Sequence, residues 1–95
     1  MADFDVAHIR EQGVDLIIIP LDRSFGHKSQ TEQNAISADL QACASAAGLA
    51  GTVVPVWDDG IGRMMFLAPQ GIHPFFRSID LSFVAANINR RITCP

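Results

Sequence analysis

The sequence predicts a small α/β domain, a two-layer sandwich with the element order (α)βαββα and a three-stranded mixed sheet. Three observations predict this class. A run of aliphatic and β-branched residues at 14–21 indicates a strand covered on both faces. The pattern Ser29-Gln-Thr-Glu32 is a capping box that starts a long helix. Two further apolar runs, at 52–57 and 63–68, are separated by a glycine-containing turn that is typical of a hairpin.

The composition bounds both the size of the protein and its partners. A chain of 95 residues has room for one domain, which we assign to residues 1–95. A hydrophobic content of 48% excludes a disordered protein, and a net charge of −3 argues against nucleic acid as a partner. No apolar run approaches the roughly 20 residues of a membrane span, so we expect no membrane partner. The acidic start does not resemble a signal peptide, so we expect a cytoplasmic location.

The remaining elements follow from local patterns. Residues 3–12 have weak helical character before Gly13, which predicts a short N-terminal helix. The long helix is predicted over 30–47, with an apolar stripe that includes Ile36 and Leu40, and Gly48 fits its end. Strand, helix and strand form a right-handed crossover with parallel strands, and the third strand runs antiparallel to the second.

A last helix is predicted over 74–91, because Pro74 suits a first helical turn. This helix is apolar on two sides, whereas a helix on a three-stranded sheet buries one stripe. If the first strand lay at the edge of the sheet, its unpaired backbone groups would also favour association. This excess of apolar surface predicts a homo-oligomer or a protein partner that covers it. The alternative is a helix that breaks near Asp80, with each half packed inward. The candidate interface residues are Phe76, Ile79, Leu81, Phe83, Val84 and Ile88.

A second candidate site is the loop after the first strand. Ligands of open α/β sheets collect beyond the carboxyl ends of parallel strands, and a helix N-terminus there favours an anion. A small molecule that carries phosphate or carboxylate would fit. Known phosphate-loop and dinucleotide motifs are absent, however, and a solvated loop before a capped helix explains the same residues. The candidate ligand-binding residues are Asp22, Arg23, Ser24, His27, Lys28, Ser29, Trp57 and Asp58, the last of which also suits a hairpin turn.

No catalytic residue, metal site or cofactor is predicted. The three histidines lack metal-ligand spacing, and no serine lies in a nucleophile elbow. Cys43 and Cys94 are expected to be a small buried hydrophobe and an exposed thiol. We therefore expect a non-catalytic interaction or regulatory module that self-associates or docks on a protein partner. The alternative is a binding protein or enzyme for an anionic small molecule.

Residues 13–21, followed by the predicted helix, by Gly48-Leu49 and by a valine-rich strand, resemble the start of class II aminoacyl-tRNA synthetase anticodon-binding domains. The resemblance covers roughly half the chain, and its motif is an apolar strand that ends in Pro20-Leu21. It implies an RNA-binding module as a third hypothesis. That family places a helix before its third strand, whereas this chain has a tight turn at 58–62.

Overall fold

A five-stranded mixed sheet forms the centre of the fold. The computed structural model describes residues 2–94. The strands are β1 (Ala2–Glu11), β2 (Val14–Pro20), β3 (Thr52–Asp58), β4 (Met64–Phe66) and β5 (Arg90–Cys94), and their order across the sheet is β4-β3-β2-β1-β5. Strands β2 and β3 are parallel, and the other neighbouring pairs are antiparallel. The small α/β class with a mixed sheet is thus confirmed, whereas the predicted three strands and their order are wrong.

The helices cover both faces of this sheet. Helix α1 (Gln30–Ala46) lies on one face, and the short helices α2 (His73–Arg77) and α3 (Leu81–Ala86) lie on the other. Three layers therefore replace the predicted two. The core on the α1 face consists of Val6, Ile17, Ile19, Leu40, Ala44, Val53 and Ile92, and the opposite core of Ala7, Leu16, Ile18, Val54, Val56, Phe76 and Val84. No helix within residues 2–94 is long and apolar enough to cross a lipid bilayer.

The predicted N-terminal helix is the strand β1. Its side chains alternate between the two cores, with Phe4 and Val6 on the α1 face and Ala7 and Ile9 on the other. The hairpin to β2 closes through Gln12 (φ 51°) and Gly13 (φ 79°). Two consecutive positive φ angles are the signature of a type I′ turn, whose twist matches that of the strands. Gly13 is therefore a hairpin residue and not a helix stop.

Strand β2 lies in the middle of the sheet, between β1 and β3. Its residues 16–19 are each at most 1% exposed, which confirms a strand covered on both faces. Because β2 has a neighbouring strand on each side, it has no unpaired edge for another molecule to bind. Pro55 in β3 faces β4, because its carbonyl accepts the Leu67 N–H at 3.0 Å. Proline has no N–H to return this bond, so the β3–β4 pairing ends at Phe66.

The predicted C-terminal helix is broken, as the alternative at Asp80 anticipated, and its end is a strand. The Asp80 carboxylate accepts the Phe83 N–H at 2.9 Å and starts α3 afresh. The two helices then turn their large side chains inward, so that Phe76 and Val84 are each 1% exposed. One continuous helix with two apolar sides, the premise of the predicted surplus, therefore does not exist.

Strand β5 is held in place at both of its ends. Before it, the Asn89 side chain accepts the His8 N–H and donates to the His8 carbonyl, both at 2.9 Å. At its other end, Cys94 forms a disulfide with Cys43 of α1, with Cα atoms 5.6 Å apart. The predicted free thiols are thus wrong, because the pairing of β5 with β1 brings together cysteines 51 residues apart.

Candidate functional site

The loop after β2 folds back onto the end of β3. Asp22 accepts the Ser24 N–H at 2.8 Å and starts a short 3-10 helix, Arg23–His27. This backbone hydrogen bond is the main reason why the pKa of Asp22 is lowered. Phe25, which is 3% exposed, packs against Trp57 with ring centroids 4.8 Å apart. An aromatic pair therefore joins the loop to the carboxyl end of a parallel strand.

Gly26 makes the closest approach between this loop and Trp57. A Cβ atom at position 26 would lie 2.6 Å from the indole Nε1 and 3.2 Å from Cδ1. A contact of 2.6 Å is far inside van der Waals distance, so any side chain here would displace the indole. The absence of a side chain at Gly26 thus allows the loop backbone to pack directly against the Trp57 indole.

We expect Gly26→Ala to push Trp57 out of its packing against Phe25. The added methyl group would cost about 1–3 kcal/mol of stability, as other overpacked sites do. The chain has one tryptophan, so its fluorescence reports this residue alone. The emission maximum should shift to longer wavelength, and urea unfolding should begin earlier. Gly71→Ala is the matched control, because a Cβ at Gly71 has nothing within 4 Å; equal effects in both variants would contradict this packing.

The start of α1 is occupied by the chain's own acidic side chain. Ser29 Oγ accepts the Glu32 N–H at 3.1 Å, which confirms the predicted N-cap. The Ser29 hydroxyl in turn donates to the Glu32 carboxylate at 3.2 Å. A carboxylate thus already lies where the helix dipole would attract an anionic ligand.

The predicted ligand-binding residues divide between two pockets. Arg23, His27, Trp57 and Asp58 line a pocket of about 190 Å³, which we call the indole pocket and which Gly26, Asp59 and Met65 complete. Asp22, Ser24 and Lys28 line a second, mostly apolar pocket of about 220 Å³ beside Phe4 and Leu21. Ser29 lines neither of them. Phe25 lies between the two, because it lines the second pocket and packs against Trp57 of the indole pocket.

Asp58 is held by the turn between β3 and β4. Its Oδ1 accepts the N–H groups of Gly60 and Gly62, at 2.6 Å and 3.2 Å. These contacts fit the hairpin-turn interpretation of this residue. Its second carboxylate oxygen accepts no hydrogen bond within residues 2–94, so it is free to meet a ligand.

The negative charge of Asp59, the next residue, is compensated by neighbouring N–H groups and by Arg63. It accepts the N–H groups of Ile61 and Arg63, and its Oδ2 lies 3.1 Å from the Arg63 Nε. These interactions, led by the hydrogen bond from the Ile61 N–H, lower the pKa of Asp59. No cluster of three or more metal-ligating side chains occurs within residues 2–94.

A second surface, which lies outside the predicted site residues, is the outer edge of β4. This strand carries no charged residue, since it reads Met-Met-Phe. Two of the most exposed large hydrophobic residues lie on it or beside it, Ile61 at 86% and Met65 at 38% exposure. A groove of about 730 Å³ runs alongside, lined by Phe66 and by Ile79 among others. Two of the predicted interface residues, Phe76 and Ile79, line this groove.

Among residues 2–94, the backbone of β4 is hydrogen-bonded on one side only, because β4 is an edge strand. The residues that flank the strand bond toward β3, because the Arg63 carbonyl accepts the Asp59 N–H and the Leu67 N–H donates to the Pro55 carbonyl, both at 3.0 Å. In an antiparallel pair, alternate residues bond to the same neighbour. Met64 and Phe66 therefore direct their N–H and C=O groups away from β3. The sequence feature that indicates this edge is Pro55, because a proline that faces β4 cannot donate to it and so limits its pairing with β3.

Known proteins offer no guide to either surface. Comparisons with protein-family models, with curated proteins and with solved structures find no match to this chain. The resemblance to anticodon-binding domains therefore stays a prediction.

Proposed function

We propose that this protein is a non-catalytic interaction module that self-associates through the β4 edge. One observation carries this proposal: the outward N–H and C=O groups of Met64 and Phe66 flank the exposed Met65, and the exposed Ile61 lies in the turn before the strand. An unpaired apolar edge of this kind is a template for another strand. The proposal keeps the self-association predicted from the sequence and moves it from the last helix to this edge.

The partner that fits this edge is a second copy of the chain. A two-fold axis at Met65 would set Met64 opposite Phe66 of the partner subunit. The outward groups of these residues would then exchange four hydrogen bonds, as in an ordinary antiparallel ladder. The product is a closed dimer with one continuous ten-stranded sheet, because the two five-stranded sheets join edge to edge.

The opposite edge of the sheet is protected against such pairing. Strand β5 exposes Arg90 and Arg91, and the latter lies 3.4 Å from Asp5. Charged side chains on an edge strand oppose the approach of another strand, because they would lose hydration. Association through β4 therefore stops at a dimer, because neither free edge of the joined sheet accepts a further copy.

We expect the dimer to be weak. A three-residue edge and its groove form a contact at the small end of specific interfaces, so the dissociation constant should lie between about 1 μM and 1 mM. Sedimentation equilibrium over this concentration range should show a monomer that converts to a dimer.

Met65→Lys should abolish this dimer, because it sets two ammonium groups against each other at the two-fold axis. Met65→Leu is the matched control, since it keeps an apolar side chain of similar volume. Sedimentation equilibrium should give a monomer for the lysine variant and a wild-type dissociation constant for the leucine variant. Dimers of equal strength in both would overturn the proposal.

An anionic ligand at residues 22–29 is the second proposal carried from the sequence. The division of these residues between two pockets and the position of Glu32 weigh against a single anion site. If such a ligand binds, phosphate should raise the melting temperature, and Lys28→Ala together with His27→Ala should remove that rise.

The Cys43–Cys94 disulfide weighs against the cytoplasmic location that the sequence predicts. Disulfides persist in oxidising compartments, whereas cytosolic cysteines are kept as thiols. Alkylation of thiols during cell lysis, followed by mass measurement, distinguishes the two states. Two alkylated cysteines would support a cytoplasmic protein, and an intact Cys43–Cys94 disulfide would contradict it.

A further inference from the structure

The indole pocket contains a hydrogen-bond donor that the protein leaves unused. Trp57 is 7% exposed, and its Nε1–H donates to no group within residues 2–94. Every fully buried side-chain nitrogen and oxygen of these residues has a partner, so this N–H must still reach solvent. Trp57 lines the indole pocket together with Gly26, which packs closely against the indole. A buried indole that keeps its donor accessible is poised to bind an acceptor.

The same pocket holds one unpaired charge of each sign. Arg23 forms no ion pair within residues 2–94, whereas Arg63 pairs with Asp59. Asp58 uses one carboxylate oxygen in its turn and leaves the other free. The pocket therefore offers a cation, a carboxylate oxygen and an indole donor around a small volume.

We propose that the indole pocket binds a small zwitterion of the α-amino acid type. The ligand carboxylate accepts hydrogen bonds from the Trp57 N–H and the Arg23 guanidinium. The ligand ammonium group faces the free oxygen of Asp58. A volume of about 190 Å³ suits a molecule of this size, since drug-sized ligands occupy roughly 300–1,000 Å³.

The charge of Asp58 decides between this ligand and a simple anion. An anion without a positive group would meet the Asp58 carboxylate at close range, and like charges repel there. A zwitterion satisfies both charges of the pocket at once. The proposed ligand contacts come from Arg23, Trp57 and Asp58, whereas Met65 lines this pocket and also lies at the proposed dimer axis.

The indole resonance of the single tryptophan provides a direct readout. In ¹H–¹⁵N spectra of the full chain, glycine and L-serine should each shift the Trp57 Nε1–H resonance saturably, with half-saturation at about 1–10 mM. Acetate and methylamine supply the two charges separately. Each should bind at least about tenfold more weakly than glycine, because it leaves one charge of the pocket unpaired.

Two variants locate the effect in this pocket. Arg23→Gln and Asp58→Asn should each raise the half-saturation concentration by about tenfold or more. Asparagine keeps the oxygen that accepts the N–H groups of Gly60 and Gly62, so the turn is preserved. Arg90→Gln removes a cation from the opposite edge of the sheet and should leave the titration unchanged.

Three results would overturn the proposal. The first is an indole resonance that glycine and L-serine do not shift at concentrations up to about 50 mM. The second is equal binding of acetate alone, which would show a simple anion site. The third is an unchanged titration in both Arg23→Gln and Asp58→Asn.

Discussion

Replacing both cysteines by alanine, C43A/C94A, is expected to lower the free energy of unfolding by about 4 kcal/mol. The disulfide joins residues 51 apart in sequence, so it strongly restricts the unfolded chain. It also attaches β5 to α1, across the core that contains Ile92. Urea unfolding of the oxidised wild type and of the double variant measures the difference.

Reduction provides the internal control for this experiment. Wild-type protein in excess dithiothreitol should unfold at the same urea concentration as C43A/C94A, because neither has the cross-link. In both, amide hydrogen exchange should increase first in β5, whose remaining anchors are its pairing with β1 and the contacts of Asn89. Equal stability of oxidised and reduced wild type would contradict the pairing of Cys43 with Cys94.

Phe76→Ala is expected to cost about 3–5 kcal/mol, the range for a large aromatic side chain removed from a core. Phe76 is 1% exposed, and its ring centroid lies 5.4 Å from that of Phe66 and 5.3 Å from that of Phe75. Because these neighbours belong to the same chain, the loss should not depend on protein concentration. Thermal or urea unfolding at two concentrations tests both statements.

Phe83→Ala is the matched comparison for this variant. Phe83 is half-buried and meets Phe75 with ring centroids 6.2 Å apart. Its removal should therefore cost clearly less than that of Phe76. If Phe76→Ala weakened association but left the monomer's stability unchanged, Phe76 would belong to an interface, as the unbroken helix of the sequence prediction required.

Local signals in the sequence were sufficient for the middle of the chain. The apolar run of β2, the Ser29 cap and the turn at 58–62 each involve residues within a few positions of one another. Such patterns predict an element without knowledge of its partners. The parallel pairing of β2 and β3 then correctly predicted that the loop after β2 lies near Trp57.

The two ends of the chain depended on contacts that no local pattern contains. Strands β1 and β5 pair residues about ninety positions apart, as in Asp3 opposite Thr93. Gln12 in a type I′ turn replaces the more usual asparagine, so the hairpin signal was weak. The division of the predicted ligand site was equally hidden, because it depends on where Phe25 inserts.

Amide hydrogen exchange at Met64 and Phe66 tests the proposed function most directly. Both N–H groups point away from β3, so exchange in dilute protein should be fast. At concentrations well above the dissociation constant, dimer formation through β4 should protect these two amides in the wild type and in Met65→Leu, and leave them unprotected in Met65→Lys. A dimer in which both amides still exchange freely, or a wild-type chain that stays monomeric at about 1 mM, would contradict the account.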